Sequence, residues 1–288
     1  MQQILATGVT GLIGSRLTLV LHNFEFLTIS RKDGADITQK ESLRKNFSSF
    51  TGKFVLHMAA KADVDGCEED KEMGEQGDAW KINVLGTQNV AELCKEYNKK
   101  IIYISTDFVF NGEKKQGDAY TEEDIEQPVN WYGETKFQGE QRVKKSGAEY
   151  LILRIAYPYG VSSAEKRDFV RIIASRIKNN QPVAAVTDHI FVPTYIDDLS
   201  YAIKRLIELD AAGTYHVVGS DPLTPYDAAR LIAKEINADP EAIGKTTRED
   251  FFHGRAKRPF NLYLSNGKIE NLGIRMEGFA EGIHKMSM

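Results

Sequence analysis

The chain has 288 residues, 42% hydrophobic and 27% charged, enough for one large body or two packed lobes and too apolar for a disordered polymer. Its 37 basic and 41 acidic residues leave a net charge of −4, which gives no electrostatic ground for a nucleic-acid or anionic-lipid partner. Cys67 and Cys94 form no Cys-x-x-Cys pair, no apolar run reaches the roughly 18 residues of a membrane span, and Met1-Gln2-Gln3-Ile4 lacks a basic, apolar leader, so a cytoplasmic protein with reduced thiols is expected.

The first expected strand runs from Gln3 to Thr7 and passes directly into Thr7-Gly8-Val9-Thr10-Gly11-Leu12-Ile13-Gly14, with a glycine at every third position. A helix carrying Leu12, Leu17, Leu19 and Leu21 follows. Glycines let a backbone approach a pyrophosphate closely, and the N–H groups of a helix start favour negative charge. Gly8, Thr10, Gly11, Leu12, Ile13 and Gly14 are therefore candidate dinucleotide-binding residues; a turn needed only for strand–helix packing is the plainer alternative. The second strand, Glu25 to Ile29, ends in Ser30-Arg31-Lys32. The acid that binds a ribose 2′-hydroxyl in NAD proteins is replaced by Ser30, with two cations beside it, which favours a 2′-phosphate and hence NADPH. Nearby Asp33 keeps NADH in play, and a solvated Arg-Lys pair is the alternative.

A third strand is expected at Phe54 to His57, with His57 read as a satisfied core residue, then a helix bearing Val84, Val90, Leu93 and Cys94. The fourth strand, Ile101 to Ser105, leads into Thr106-Asp107-Phe108-Val109-Phe110. Ligands of open α/β sheets sit at such strand ends, so a hydroxyl there can polarise a carbonyl; Thr106 is preferred, with Ser105 second. Tyr132 and Lys136 stand four apart in Tyr132-Gly133-Glu134-Thr135-Lys136 and share a face if the stretch is helical. A phenol stabilised by a neighbouring ammonium can give or take a proton as hydride moves, and the lysine can also serve the nicotinamide ribose. The fifth strand is Tyr150 to Arg154. Strands alternating with helical patterns predict an α/β fold, a doubly wound parallel Rossmann sheet, over residues 1–160.

The remainder, 161–288, reads as a smaller substrate-binding lobe, with some segments near 183–218 returning to the Rossmann sheet. Its expected elements are helices at Phe169 to Ile177, Tyr201 to Leu209 and Pro225 to Ile236, and strands at Val183 to Val186 and Tyr215 to Val218. The six histidines show no metal-ligand spacing, and no metal site is expected. Acids at Asp63, Asp65, Glu68, Glu69 and Asp70 fit an exposed helix start as well as a cation site.

Taken together, Thr7 to Gly14, Asn83-Val84-Leu85-Gly86-Thr87, Ser105 to Phe110 and Tyr132 to Glu140 resemble the extended short-chain dehydrogenase/reductase family, most of all its dTDP-4-dehydrorhamnose reductase branch. Pro193-Thr194 and Arg258-Pro259 carry the likeness towards residue 270. The resemblance implies that Thr106, Tyr132 and Lys136 form a hydroxyl–Tyr–Lys triad. It implies that Asp36 and Ile37 lie near the adenine, that Ala59, Ala60 and Lys61 border the cofactor, and that Asn83 belongs to the cofactor site. Asp107, Phe108, Tyr157 and Arg258 are implied to face the substrate. Two positions depart from the branch: Phe108 stands where a tyrosine is usual, and Tyr157 where a tryptophan is usual, so the sugar itself is left open. Asp107 can instead cap a turn, and Arg255 and Lys257 beside Arg258 can be a solvated charge run.

The expected function is NADPH-dependent reduction of the 4-keto group of a nucleotide-linked 6-deoxy sugar, by a protein that could pair with a second copy of itself. Asp107-Phe108 lacks the second carboxylate of sugar-nucleotide dehydratases. An epimerase, using the same triad, and a non-catalytic NADP-binding regulatory subunit are the alternatives.

Overall fold

The computed structural model describes residues 1–161 and 167–287. In chain order the elements are β1 (Gln2–Thr7), α1 (Leu12–Val20), β2 (Phe24–Ile29), α2 (Lys40–Ser49), β3 (Phe54–His57), α3 (Val64–Glu69), α4 (Asp78–Trp80), a π-helical stretch Lys81–Gly86, and α5 (Thr87–Glu96). Then come β4 (Lys100–Thr106), α6 (Trp131–Lys145), β5 (Tyr150–Ile155), α7 (Phe169–Lys178), β6 (Ala184–Val186), α8 (Ile196–Glu208), β7 (Gly213–His216), α9 (Pro225–Glu235), β8 (Gly244–Thr246), α10 (Arg248–Phe251), α11 (Gly267–Glu270) and α12 (Phe279–Lys285).

Six strands form one sheet in the order β2-β1-β3-β4-β5-β7, every pairing parallel. Successive side chains of a strand point to opposite faces, and helices cover both faces of this sheet. Ile4 and Ala6 of β1, Leu56 of β3, and Ile102 and Ile104 of β4 pack with Leu17 of α1 and with Leu199, Ile203 and Leu206 of α8. The intervening residues Leu5, Val55, Ile101 and Tyr103 pack on the other face with Leu43 and Phe47 of α2, with Val90 and Leu93 of α5, and with Val143 of α6. Truncating one such fully buried leucine to alanine typically costs roughly 2–5 kcal/mol. The strand order reverses between β1 and β3, so the crevice for a ligand lies at the carboxyl ends of those two strands.

A buried ion network ties α6 to the sheet. Arg154 of β5, fully buried, bonds Glu140 of α6 at 2.8 Å and also Glu126. Glu140 in turn accepts the Ser105 hydroxyl at 2.6 Å.

The rest of the chain builds a second core from α7, α9 and α12, where Val170, Ala174, Ala228, Ile232, Phe279 and Ile283 meet Tyr159, Phe191 and Tyr195. The capping box of α9, in which Thr224 and Asp227 exchange hydrogen bonds, starts that helix with Pro225 in its first turn. Within 183–218, β7 joins the six-stranded sheet and α8 packs on it, whereas the strand expected at 183–186 lies outside that sheet. It forms β6, which pairs in parallel with β8, because its Ala185 packs on Ala229 and Ala233 of α9. Among the described residues no helix is long and apolar enough to cross a membrane.

Candidate active site

A cleft of about 440 Å³ opens where the strand order reverses, lined by Thr7 to Gly11, Ile29 to Lys32, Ala35, Ile37, Met58 to Ala60 and Ile82. Its three turn glycines differ in what they do. Gly8 has φ +73°, and a Cβ there would lie 2.6 Å from the Ala59 nitrogen. At Gly14 a Cβ would lie 2.5 Å from the Gly8 carbonyl oxygen, so Gly8 lets the turn press on the segment after β3 and Gly14 lets α1 press on the turn. Gly11 is different: a Cβ would meet only the Gly8 carbonyl oxygen, at 3.3 Å, while the residue itself lines the cleft at the N-cap of α1. That cradle suits a pyrophosphate.

At the rim, Ser30, Arg31 and Lys32 begin a tight turn. The Ser30 hydroxyl donates to the Asp33 carboxylate at 2.6 Å, and the largely exposed Arg31 pairs with Asp36 at 3.3 Å. Partial burial opposes ionisation of Asp36, but Thr38 donors and the Arg31 charge hold it below the ordinary carboxylate range. The two cations thus stand at the cleft with Asp33 turned back onto Ser30.

Of the other expected cofactor residues, Ile37, Ala59 and Ala60 line the cleft, whereas Leu12, Ile13, Gly14, Asp36, Lys61 and Asn83 do not. Asn83 is fully buried and serves as a bracket. Its side-chain oxygen accepts the Lys61 N–H at 2.8 Å; its amide group donates to the Lys61 carbonyl at 3.0 Å and to the Thr135 hydroxyl at 2.9 Å. Thr7 does similar work, since its hydroxyl accepts the Met58 and Ala59 N–H groups, both at 3.2 Å, and contacts His57 Nδ1 at 2.7 Å. Burial depresses His57 to about 3, so it is neutral, as a core residue should be. Thr7, Val9, Ile29, Ala35, Met58 and Ile82 line the cleft without having been expected from sequence.

Beside the cleft, the end of β4 meets the start of α6. Asn130 caps α6 by accepting the Gly133 N–H at 2.8 Å. A Cβ at Gly133 would lie 2.3 Å from the Phe108 carbonyl oxygen, so glycine alone lets the helix come this close. The approach sets the Tyr132 ring 5.7 Å from that of Phe108, at the end of β4. Thr106 donates to Asp107 Oδ1 at 2.9 Å and accepts the Phe108 N–H at 3.3 Å.

The electrostatics of the triad differ from expectation. Lys136 is buried on α6, and its ammonium donates to the Ile104 carbonyl at 2.8 Å and stands 4.1 Å from the centre of the Tyr103 ring. Burial lowers Lys136 to about 7, although Glu140 pulls it up. Tyr132 is raised, first by burial and then by the Asp107 charge, against the pull of Thr106. In this structure the Lys136 ammonium is directed to a strand carbonyl, and burial keeps the Tyr132 phenol protonated.

Phe108 stands between the two tyrosines, its ring centroid 5.7 Å from that of Tyr132 and 6.1 Å from that of Tyr157. Tyr157 holds φ +40°, a conformation rare for a bulky residue. His189, kept neutral as burial lowers it to about 4, donates through Nδ1 to the Pro259 carbonyl at 2.8 Å and so accepts the Tyr157 hydroxyl at Nε2, 3.2 Å away. Arg258 is mostly buried, stacks 4.6 Å over Phe252, and bonds Asp65 of α3 at 2.9 Å; Arg255 grips the same carboxylate. Arg255 and Arg258 are thus fastened to one acid, while Arg255 and Lys257 stay exposed to solvent.

The family described as the RmlD substrate binding domain matches residues 1–287. A dTDP-4-dehydrorhamnose reductase of Aggregatibacter actinomycetemcomitans is 29% identical over 284 residues, covering 94% of this chain and 92% of that one. The methionine adenosyltransferase 2 subunit beta of Mus musculus is 27% identical, covering 95% and 83%. The crystal structure of a dTDP-4-dehydrorhamnose reductase from Bacillus anthracis, in complex with NADP, superposes with a TM-score of 0.89 at 28% identity and covers 99% of each chain.

Proposed function

Because the chain belongs to the family described as the RmlD substrate binding domain, we propose that it is an NADPH-dependent oxidoreductase reducing the 4-keto group of a nucleotide-linked 6-deoxy sugar. The observation that carries this reading is the packing of α6, with Tyr132 in its first turn, on β4, which ends at Thr106, beside a cleft whose rim holds Arg31 and Lys32. The reductase relatives support it over their full length. When bound, the nicotinamide supplies hydride.

The chain's own residues do the rest. Gly8 to Gly11 cradle the pyrophosphate, and Arg31 and Lys32 take the 2′-phosphate. Asp36 shapes the rim by holding Arg31, while Asn83 and Lys61 frame the segment beyond Ala60. Thr106 orients the sugar carbonyl, and Tyr132, protonated at neutral pH, gives its proton to the oxygen as charge develops there. Lys136 backs this wall and serves the nicotinamide ribose. Phe108 and Tyr157 bound the sugar, and Arg258 anchors the lobe formed by 161–288 next to the substrate diphosphate. Cys67 and Cys94, both free thiols in the interior, support a reducing, cytoplasmic setting.

A second reading, a dinucleotide-binding subunit of another enzyme, rests on the likeness to the adenosyltransferase subunit. Thr106, Tyr132 and Lys136 speak for turnover instead. Incubation with NADPH and 4-keto sugars linked to dTDP, UDP and GDP, with products followed by mass spectrometry, separates the two. Consumption of NADPH with gain of two hydrogens in one sugar supports the reductase; binding of NADPH without consumption across the panel supports the subunit.

A further inference from the structure

Asn130, buried at the start of α6, uses both ends of its side-chain amide. Its oxygen accepts the Gly133 N–H at 2.8 Å and so caps the helix. Its nitrogen donates to the Lys257 carbonyl, also at 2.8 Å, across 127 residues of sequence. The two bonds fix the orientation of the amide, because a flipped side chain would set nitrogen against an N–H and oxygen against a carbonyl. Capping needs only the first bond, which serine or aspartate would supply as well. The second bond is what asks for asparagine.

Lys257 belongs to a strap, 255–258, that α3 holds from its other side. Asp65 accepts the Arg258 guanidinium at 2.9 Å and the Ala256 N–H at 3.2 Å, and it pairs with Arg255. Glu68, three residues further on the same face of α3, accepts the Trp131 N–H at 2.8 Å. A closed ring of bonds thus runs from α3 to the strap, through Asn130 to α6, and back through Glu68. Tyr132 follows Trp131 directly. The strap lies in the half of the chain read above as the substrate lobe, whereas Tyr132 lies in the half that carries the dinucleotide cleft.

Resting on the keto-reduction reading above, we propose that Asn130 is a positioning residue whose bond to the Lys257 carbonyl holds Tyr132 in register with a sugar bound by the 161–288 lobe. Proton transfer needs donor and acceptor within hydrogen-bond reach. A displacement of about 1 Å at such a site costs on the order of 10²-fold in rate. The donor and the sugar are carried by different halves of the chain, so a strut between them has mechanical sense. Asn130 acts through the helix start, not on the reacting atoms.

The test is Asn130→Ser, whose hydroxyl can cap α6 but is too short to bridge to Lys257 as well. Melting temperature and NADPH affinity should stay near wild type. The KM for a 4-keto sugar nucleotide that wild type reduces should change little, while single-turnover NADPH oxidation slows at least about tenfold. Asn130→Asp, compared with wild type at the same alkaline pH, keeps shape and cap but as a carboxylate offers Lys257 no donor. It carries the test if the serine variant does not fold. Unchanged rates would mean that the cap alone matters and overturn the proposal. A joint fall of melting temperature, cofactor affinity and rate also overturns it, since that marks a loosened fold. If wild type reduces no keto sugar, the functional reading fails, and the two tryptophans decide whether Asn130 sets the start of α6. Trp131 stacks on Trp80 of α4 with ring centroids 5.8 Å apart, and these are the chain's only indoles. An altered near-ultraviolet circular dichroism of the indoles in Asn130→Ser, at unchanged melting temperature, supports the strut; a wild-type spectrum overturns it.

Discussion

Tyr132 and Lys136 lie one turn apart on α6 but meet different partners: the phenol ring stands 5.7 Å from that of Phe108, and the ammonium donates to the Ile104 carbonyl at 2.8 Å. The proton donor is therefore held protonated chiefly by burial. Tyr132→Phe, nearly conserving volume, should melt like wild type and bind NADPH equally well. Its chemical step should slow by about 10²–10⁴-fold in single-turnover NADPH oxidation. Reduction needs Tyr132 protonated, and its pKa is raised, so wild type should show no loss attributable to this residue until pH exceeds the ordinary tyrosine value of about 10. An alkaline limb between pH 7 and 9 that disappears in Tyr132→Phe would contradict the assignment.

Lys136 carries a stability signature. Its folded pKa, about 7, lies below the unfolded value near 10.5, so the unfolded chain binds more protons between those limits. The penalty is complete below pH 7 and fades as pH rises towards 10.5. Lys136→Met should remove this rise, making the variant more stable than wild type at pH 7 and leaving the two closer at pH 10. It should also weaken NADPH binding. Urea unfolding across the pH range checks the slope, and cofactor titration the second effect.

Gly11 and Gly8 should part company on substitution. Gly11→Val keeps the sheet intact but fills the cradle, so the melting temperature should hold while NADPH affinity falls at least about tenfold. Gly8→Ala forces a left-handed backbone and a collision with Ala59, and should destabilise the fold. Melting curves and cofactor titrations on both variants distinguish cradle from packing.

Removing Arg31 and Lys32 together should abolish any preference of NADPH over NADH, with little effect on stability because Arg31 makes an exposed pair with Asp36. Titration with both cofactors measures it. An unchanged preference would place the 2′-phosphate elsewhere.

Glu140→Gln leaves Arg154 buried with Glu126 as its remaining acid partner. Breaking a buried pair from one side costs about 3–5 kcal/mol, which guanidinium unfolding should register.

The strands of the first half were readable because burial on both faces makes them nearly continuous apolar runs; Phe54–His57 was placed to the residue. Helix α2 was missed because only Leu43 and Phe47 are buried in a polar decapeptide, and β8 because three largely exposed residues carry no pattern. The first turn of α8 was missed since Asp197 and Asp198 interrupt its apolar face. In the site, hydroxyl, phenol and glycine turn were legible, as each belongs to a local spacing. The Asn83–Thr135 bracket spans 52 residues and the Asp65–Arg258 bond 193, and contacts of that reach leave no trace in local pattern. The direction of the Lys136 ammonium depended on a strand carbonyl that no spacing announces.

Tyr157 shapes the evolutionary options of the pocket. Its backbone sits at φ +40°, strained for any side chain larger than glycine and worst for β-branched ones, and its hydroxyl is pinned by a neutral His189. Phe108, its ring 6.1 Å from that of Tyr157, carries no such backbone burden. Drift towards a differently substituted sugar is thus cheaper through Phe108 than through Tyr157. Selection for new substrates should fix changes at Phe108 first and reach Tyr157 only after its supporting loop has been rebuilt.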